Sequence, residues 1–511
     1  MKVKRTVFCL SLAVAYLMMR GLAPDNAAAS EPVSAYLSDM KVNNHIDELV
    51  SARLKKSIGT LPAPEEVRLF LSERNPDKRG RLINELLERE EYSDYWAMKW
   101  SDLLRVKSEF PSNLWPNGVQ AYHRWIKEAL KDNMPYDQFA RSLLTSSGSN
   151  FREPPVNFYR VIPQHDPEKI AEFAVLIFMG MRTQKWTPEQ RRAAADFFTQ
   201  INFKKTGEWK EEIVYYDPEG PSLNTVNSPI RSAGILGETI AIAPGADPRV
   251  GFADWLTAPD NPYFSRNIVN RIWCWLLGRG IVNEADDIRP DNLPQNPELL
   301  DWLARELAGH KYDLKHIYRL ILNSATYQLS SAPNRYNAAD EVNFSHYPVR
   351  RLDAEVLIDA VCQVTGTGEN YFSRIPEPFT FIPPQQRTIA LADGSIDSSF
   401  LALFGRSPRA TGYLSERNNE SSVIQRLHFL NSTHIQSKIY RSQFKKRLVK
   451  LHQDDDQLIK LIYVSVLSRP PTDTEYEVVQ EYMKNSGLNK EEAVGDLIWA
   501  LINTKEFMFR H

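Results

Sequence analysis

The sequence predicts a mainly α protein of two helical lobes, with long irregular loops and little β structure. Three observations carry this. Asp247-Pro248, Asn261-Pro262 and Asn296-Pro297 each set an N-cap acceptor before a proline. Proline loses nothing at the first helical position, because the N–H it lacks would have no intrahelical partner. Apolar residues recur at helical rather than alternating spacing along most of the chain. Strand signals are few, residues 212–216 being the clearest. The 511 residues suffice for two or more sizeable cores, and 42% hydrophobic with 25% charged residues is ordinary for a globular protein. A net charge of −2 gives no electrostatic footprint for nucleic acid.

Residues 1–29 read as a signal peptide. Lys2, Lys4 and Arg5 form a basic start, residues 6–19 a short apolar run, and Ala27-Ala28-Ala29 a small-residue cleavage site. The run is short for a membrane span. An uncleaved anchor is the competing reading, because the stretch between Arg20 and Asn26 is long for the region before a cleavage site. The expectation is export to the periplasm or cell envelope, with no transmembrane segment after cleavage. An N-terminal helical domain follows at 40–203. Its helices are marked by Ile46, Leu49, Val50 and Leu54, by Leu82, Ile83, Leu86 and Leu87, and by Trp96, Trp100, Leu103 and Leu104. Thr187-Pro188-Glu189-Gln190 is a capping box opening a helix through Phe197 and Phe198. Residues 204–246, rich in Gly, Pro, Ser and Asn, read as an irregular linker.

The C-terminal helical domain is placed at 247–511. After Pro262, the residues Ile268, Val269, Ile272, Trp273, Leu276 and Leu277 make a wide apolar face that Gly278 ends. Leu299, Leu300, Leu303 and Leu307 follow Pro297 and stop at Gly309. Asp313 opens a helix with Leu314, Ile317, Tyr318, Ile321 and Leu322. Thr472 with Glu475, and Asn489 with Glu492, cap two further helices. Residues 366–399 carry Pro376, Pro378, Pro383 and Pro384 and read as a long loop, a candidate binding edge.

The common catalytic words are absent: no Cys-x-x-Cys, H-E-x-x-H, P-loop, G-x-S-x-G or G-x-G-x-x-G. Without Cys-x-x-Cys-His there is no attachment site for covalent haem, and no cofactor is expected. Cys274 and Cys362 remain beyond the leader, and the apolar setting of Cys274 reads as a buried free thiol. The histidine pairs His310/His316 and His428/His434 are each six apart, which does not place both on one helix face, so no metal site is expected.

The polar residues on and after the Pro262 helix are the candidate ligand-binding set. Arg266 with Asn270, and Asn267 with Arg271, are spaced i, i+4, and Arg279, Asp286 and Asp287 follow. Arginine and aspartate brought together bind anions or sugars through forked hydrogen bonds. The competing reading is a structural ion-pair and capping network. Arg406 and Arg409, flanking Ser407-Pro408, are a second anion-binding candidate against a default of surface pairing. Asp286-Asp287 as a glycosidase pair is disfavoured, because adjacent residues rarely point at one bond. Asp393, Ser395, Asp397 and Ser399 alternate as calcium ligands do, but lack the EF-hand glycine and closing glutamate. Most tryptophans sit at core spacing; Trp115, between Pro111 and Pro116, is the exception.

Several words of the chain resemble the paired domains of unknown function of secreted planctomycete-type proteins, often fused to cytochrome-c-like domains. In the first domain these are IDELVSARL (46–54), LPAPEEVRLFL (61–71), MPYDQFARSLL (134–144) and GSNFREPPVNFYR (148–160). In the second they are the 247–331 stretch, RRLDAEVLIDAVCQVTG (350–366), FLALFGRSPRATGYLSER (400–417), LHFLN (427–431), LSRPPTDTE (467–475) and LIWALINTKEFMFRH (497–511). The chain departs from the family's pattern where such members carry cysteines. Gln184 runs directly into Lys185-Trp186-Thr187 without a Cys-x-x-Cys-His segment, and Tyr413 and Ser415 stand in place of Cys-x-Cys. The segment between Leu54 and Leu61 is also shorter than usual. The two cysteine losses read as one function dropped. The resemblance implies a haem-free binding or scaffold protein, working beside a secreted sulfatase-like protein on cell-surface or polysaccharide material. The alternative is a hydrolase or other enzyme using residues 266–287, and electron transfer ranks third. Whether the chain is an enzyme stays open at this level.

Overall fold

The computed structural model describes residues 58–219, 231–383, 385–451 and 454–510. The signal segment and the helix expected around Ile46–Leu54 lie outside them. The fold is mainly α, and strands are confined to three small antiparallel sheets among the described residues.

Helix ends follow their sequence signals. Asp247, Asn261 and Asn296 accept backbone N–H bonds at the starts of helices Pro248–Thr257, Pro262–Leu277 and Pro297–Gly309. Asp313 does the same for Leu314–Asn323. The capping boxes at Thr187, Thr472 and Asn489 are formed. The Thr187 helix runs Pro188–Ala195 and tightens into a 3-10 turn at Asp196–Phe198.

The stretch read as an irregular linker is partly regular. Ile201–Lys205 pairs with Glu212–Tyr216, and Arg231–Ile235 pairs with Glu238–Ile242. Gly234 and Ser232 lie within a strand of the second pair, a placement that composition alone does not distinguish from coil. Residues 366–399 are mostly irregular, apart from a 3-10 turn at Thr388–Ala390.

One contiguous set of buried residues runs from Ile58 to Phe507, so both lobes share a core. At its centre lies helix Glu90–Leu103, buried on every side from Tyr92 onward. Trp96 packs against Trp275 and Tyr318 at ring-centroid distances of 5.3 and 4.6 Å. A helix buried all round has no solvent face for its polar residues, so Tyr95, Lys99 and Asp102 must find partners inside. Their spacing of i, i+4 and i+7 puts them on one stripe. No described helix is long and apolar enough to cross a membrane.

Candidate functional site

The stripe on helix Glu90–Leu103 meets residues from the other half of the chain. Tyr95 Oη donates to Asp353 Oδ2 and Lys99 Nζ to Asp353 Oδ1, both at 2.8 Å. Arg417 grips two carboxylates: Nη2 reaches Asp102 Oδ2 at 2.7 Å, and Nη1 reaches Glu355 Oε2 at 2.6 Å. Arg510 Nη2 donates to Tyr95 Oη at 2.7 Å, and Asn419 Nδ2 to Asp353 Oδ1 at 2.9 Å. Burial opposes ionisation of Asp353, yet Lys99, Arg417 and Arg510 hold its carboxyl well below the usual range. Burial pulls Lys99 down to about 8, the Asp353 charge opposing it.

These groups surround a cavity of about 200 Å³. Lys99, Arg350, Arg351, Arg417 and Arg510 line it against only Asp102 and Asp353, with Glu355 behind Arg417. Cationic groups therefore exceed carboxylates around the space. Arg510 Nη1 and Trp275 Nε1, on buried lining residues, have no hydrogen-bond partner. A buried donor without an acceptor is costly, on the order of 1–3 kcal/mol. Cys274 also lines the cavity, but burial pushes its thiol up to about 11, so it is no nucleophile at neutral pH. Both Cys274 and Cys362 are free thiols.

None of the candidate residues chosen from sequence lines this cavity, although Asp286 and Arg409 bind residues that do. Arg271, fully buried, donates to the carbonyls of Leu176 and Ile177, each at 2.6 Å, and to Asp286 Oδ1 at 2.8 Å. Asn267 Nδ2 also donates to Ile177 O. The two residues thus donate to carbonyls in the last turn of helix Pro167–Met179, where a cation also suits the helix dipole, and Leu176 O accepts from Gly180 N as well. Asp286 Oδ2 accepts from Leu414 N at 2.6 Å, which fixes the cavity segment between Tyr413 and Arg417. Asn270 exchanges two bonds with the Val282 backbone. Arg266 pairs with Asp301 at the surface, Asp287 pairs with Arg289, and Arg279 is half-buried with Nε unpartnered. Arg409 Nε donates to Asp102 Oδ1 at 3.0 Å, and Arg406 donates to the carbonyls of Asp393 and Ile396. Both arginines are buried rather than on the surface.

Other expectations resolve locally. Asp393 is occupied by Ser108 and Ser395, and Asp397 by Arg374, so the alternating Asp/Ser loop does not converge on one point. Trp115 is half-buried, with its ring centroid 6.4 Å from Trp209 and 5.4 Å from Phe379. The histidine pairs do come together, because a turn intervenes between helices. His310 and His316 stack with centroids 3.7 Å apart, and His428 Nε2 lies 3.3 Å from His434 Nδ1.

Gln184 and Tyr413, distant in sequence, are neighbours. Gln184 Nε2 donates to Tyr413 Oη at 3.0 Å, and the Arg182 guanidinium lies 5.1 Å from the Tyr413 ring. Sequence reasoning reached Tyr413 and Arg417 as words but missed Lys99, Asp102, Asp353 and Arg510 as site residues. The available signal was the polar stripe on an otherwise apolar, aromatic helix.

Residues 50–213 match the PSCyt2 model, a protein of unknown function (DUF1549), and residues 248–483 match the PSD1 model, a protein of unknown function (DUF1553). No curated protein and no solved structure gave a match.

Proposed function

We propose that this chain, which carries the paired PSCyt2 and PSD1 domains, is an exported binding protein that holds a small oxyanion between its two halves. One observation carries the reading: a cavity with five cationic residues against two lining carboxylates. An oxyanion offsets the charge excess through charge-assisted hydrogen bonds. At about 200 Å³ the cavity falls below the roughly 300–1,000 Å³ of drug-sized pockets, which favours an anion or one acidic end group over a polymer. The setting implied by the resemblance, beside a sulfatase-like protein, makes inorganic sulfate the first probe.

The test is thermal unfolding in sodium sulfate against sodium chloride at matched ionic strength. Sulfate raises the melting temperature of the parent, and the gain shrinks in Arg350→Gln, which removes one of the five lining cations. Equal melting in the two salts overturns the reading.

A further inference from the structure

We propose that Glu306, His310 and His316 form a binding site for a divalent transition-metal ion of the zinc class. Glu306 lies in the last turn of helix Pro297–Gly309, and His310 is the residue that ends it. Lys311 and Tyr312 follow in left-handed conformation, with φ of 55° and 59°. Asp313 then caps helix Leu314–Asn323, whose third residue is His316. Two successive non-glycine residues in the left-handed region are uncommon. The buried Tyr312 secures the turn: its hydroxyl donates to Thr257 O at 3.0 Å, and its carbonyl accepts from Tyr136 N at 3.0 Å. The reversal folds the second imidazole back over the first.

The donors lie close enough for one ion, and because the two imidazoles stack at a 19° interplanar angle, ligation through both requires one ring to rotate out of the stack. Glu306 Oε2 is 3.4 Å from His310 Nδ1 and 3.2 Å from His316 Nε2, and the three residues offer donor atoms all within 4.8 Å of one another. Bond lengths of about 2.0–2.2 Å in tetrahedral geometry place neighbouring donors roughly 3.3–3.6 Å apart. Without an ion, the Glu306 Oε2–His316 Nε2 contact is a hydrogen bond at 3.2 Å, which ligation would replace. Two imidazoles and a carboxylate are the ligand types that zinc accepts, and three protein ligands leave a fourth position for water. The side chains are 28%, 52% and 21% exposed for Glu306, His310 and His316, so an ion reaches them from solvent. His310 Nδ1 also lies 2.9 Å from Glu306 O. Ligation through that nitrogen requires the tautomer with its proton on Nε2 and breaks the contact to the helix carbonyl. A bound ion ties the end of one helix to the start of the next.

The experiment uses the full chain without a polyhistidine tag, stripped with chelator and dialysed. Cobalt(II) is titrated while visible absorption is followed, and zinc(II) is then added as competitor. The proposal expects one equivalent of cobalt bound and displaced by zinc. Affinity should fall at least about tenfold in His316→Gln and in Glu306→Gln, the scale at which even outer partners affect metal binding. Zinc should also raise the melting temperature of the parent and not of the variants. His310→Asn, altered at a half-exposed side chain, gives the same reading if the His316 variant does not fold. Absence of saturable cobalt binding, or parental affinity in the folded variants, overturns the proposal.

Discussion

At the scale of single residues, burial decides what each charge does. Arg271 and Arg266 stand on one helix and read alike in sequence, yet one is fully buried and the other paired at the surface. Arg271→Ala removes the cation paired with buried Asp286 Oδ1 and one of two donors to each of the Leu176 and Ile177 carbonyls. It should cost about 3–5 kcal/mol in denaturant unfolding, whereas Arg266→Ala should cost no more than about 1 kcal/mol. Equal costs would refute the assignment of Arg271 as a structural cap. His123 supplies a second case. Burial, with Arg409 and Lys127 nearby, lowers its pKa to about 3. The folded protein keeps it neutral, while the unfolded chain takes a proton below an ordinary value of about 6.5. The unfolded state therefore binds more protons in that window, and stability falls as pH drops from about 6.5 toward 3. Denaturant midpoints measured from pH 7 to pH 5 should decline in the parent and less steeply in His123→Gln. Parallel declines would exclude His123 as a source. Arg271 was legible as a candidate because an arginine amid apolar neighbours needs a partner. The residues it serves, Leu176 and Ile177, were not, because they contribute only carbonyl groups.

At the scale of elements, local signals with a fixed offset read true and pairings between distant segments did not. Asp247, Asn261, Asn296 and Asp313 act within three residues of themselves, so their caps follow from the sequence alone. The hairpin Arg231–Ile235 with Glu238–Ile242 sits in a stretch whose composition suggests coil, and only its register reveals it. Gly180 shows how one element end is fitted to another. It closes helix Pro167–Met179 in left-handed conformation, φ 64°, and its carbonyl accepts from Ile288 N. A Cβ there would lie 2.5 Å from Asn267 Oδ1 and 3.0 Å from Ala285 O. Gly180→Ala should therefore destabilise by more than about 1 kcal/mol, from strain and displacement of the Asn267 cap together. A denaturant midpoint unchanged from the parent would show that the helix end relaxes freely.

At the scale of the whole molecule, the two matched regions behave as one body. Asp102 of the first is bound by Arg409 and Arg417 of the second, and the buried core is continuous through both. Unfolding should be a single transition, with tryptophan fluorescence and far-ultraviolet dichroism coincident. Two separated transitions would mean that the shared polar seam is weaker than either lobe. The fold class was visible from helix punctuation, but the cavity was not, because its walls come from stripes that no local pattern joins. Its closing contact, Arg510 to Tyr95, spans 415 residues. That separation has a consequence for the order of events as the chain is made. Helix Glu90–Leu103 emerges early with Tyr95, Lys99 and Asp102 still waiting for partners, and most of the polypeptide follows before Arg510 arrives. Helix Trp115–Lys131, Tyr136 and Phe139 cover part of this helix soon afterwards, but contacts so far apart form slowly, so its polar stripe is the last part to be satisfied.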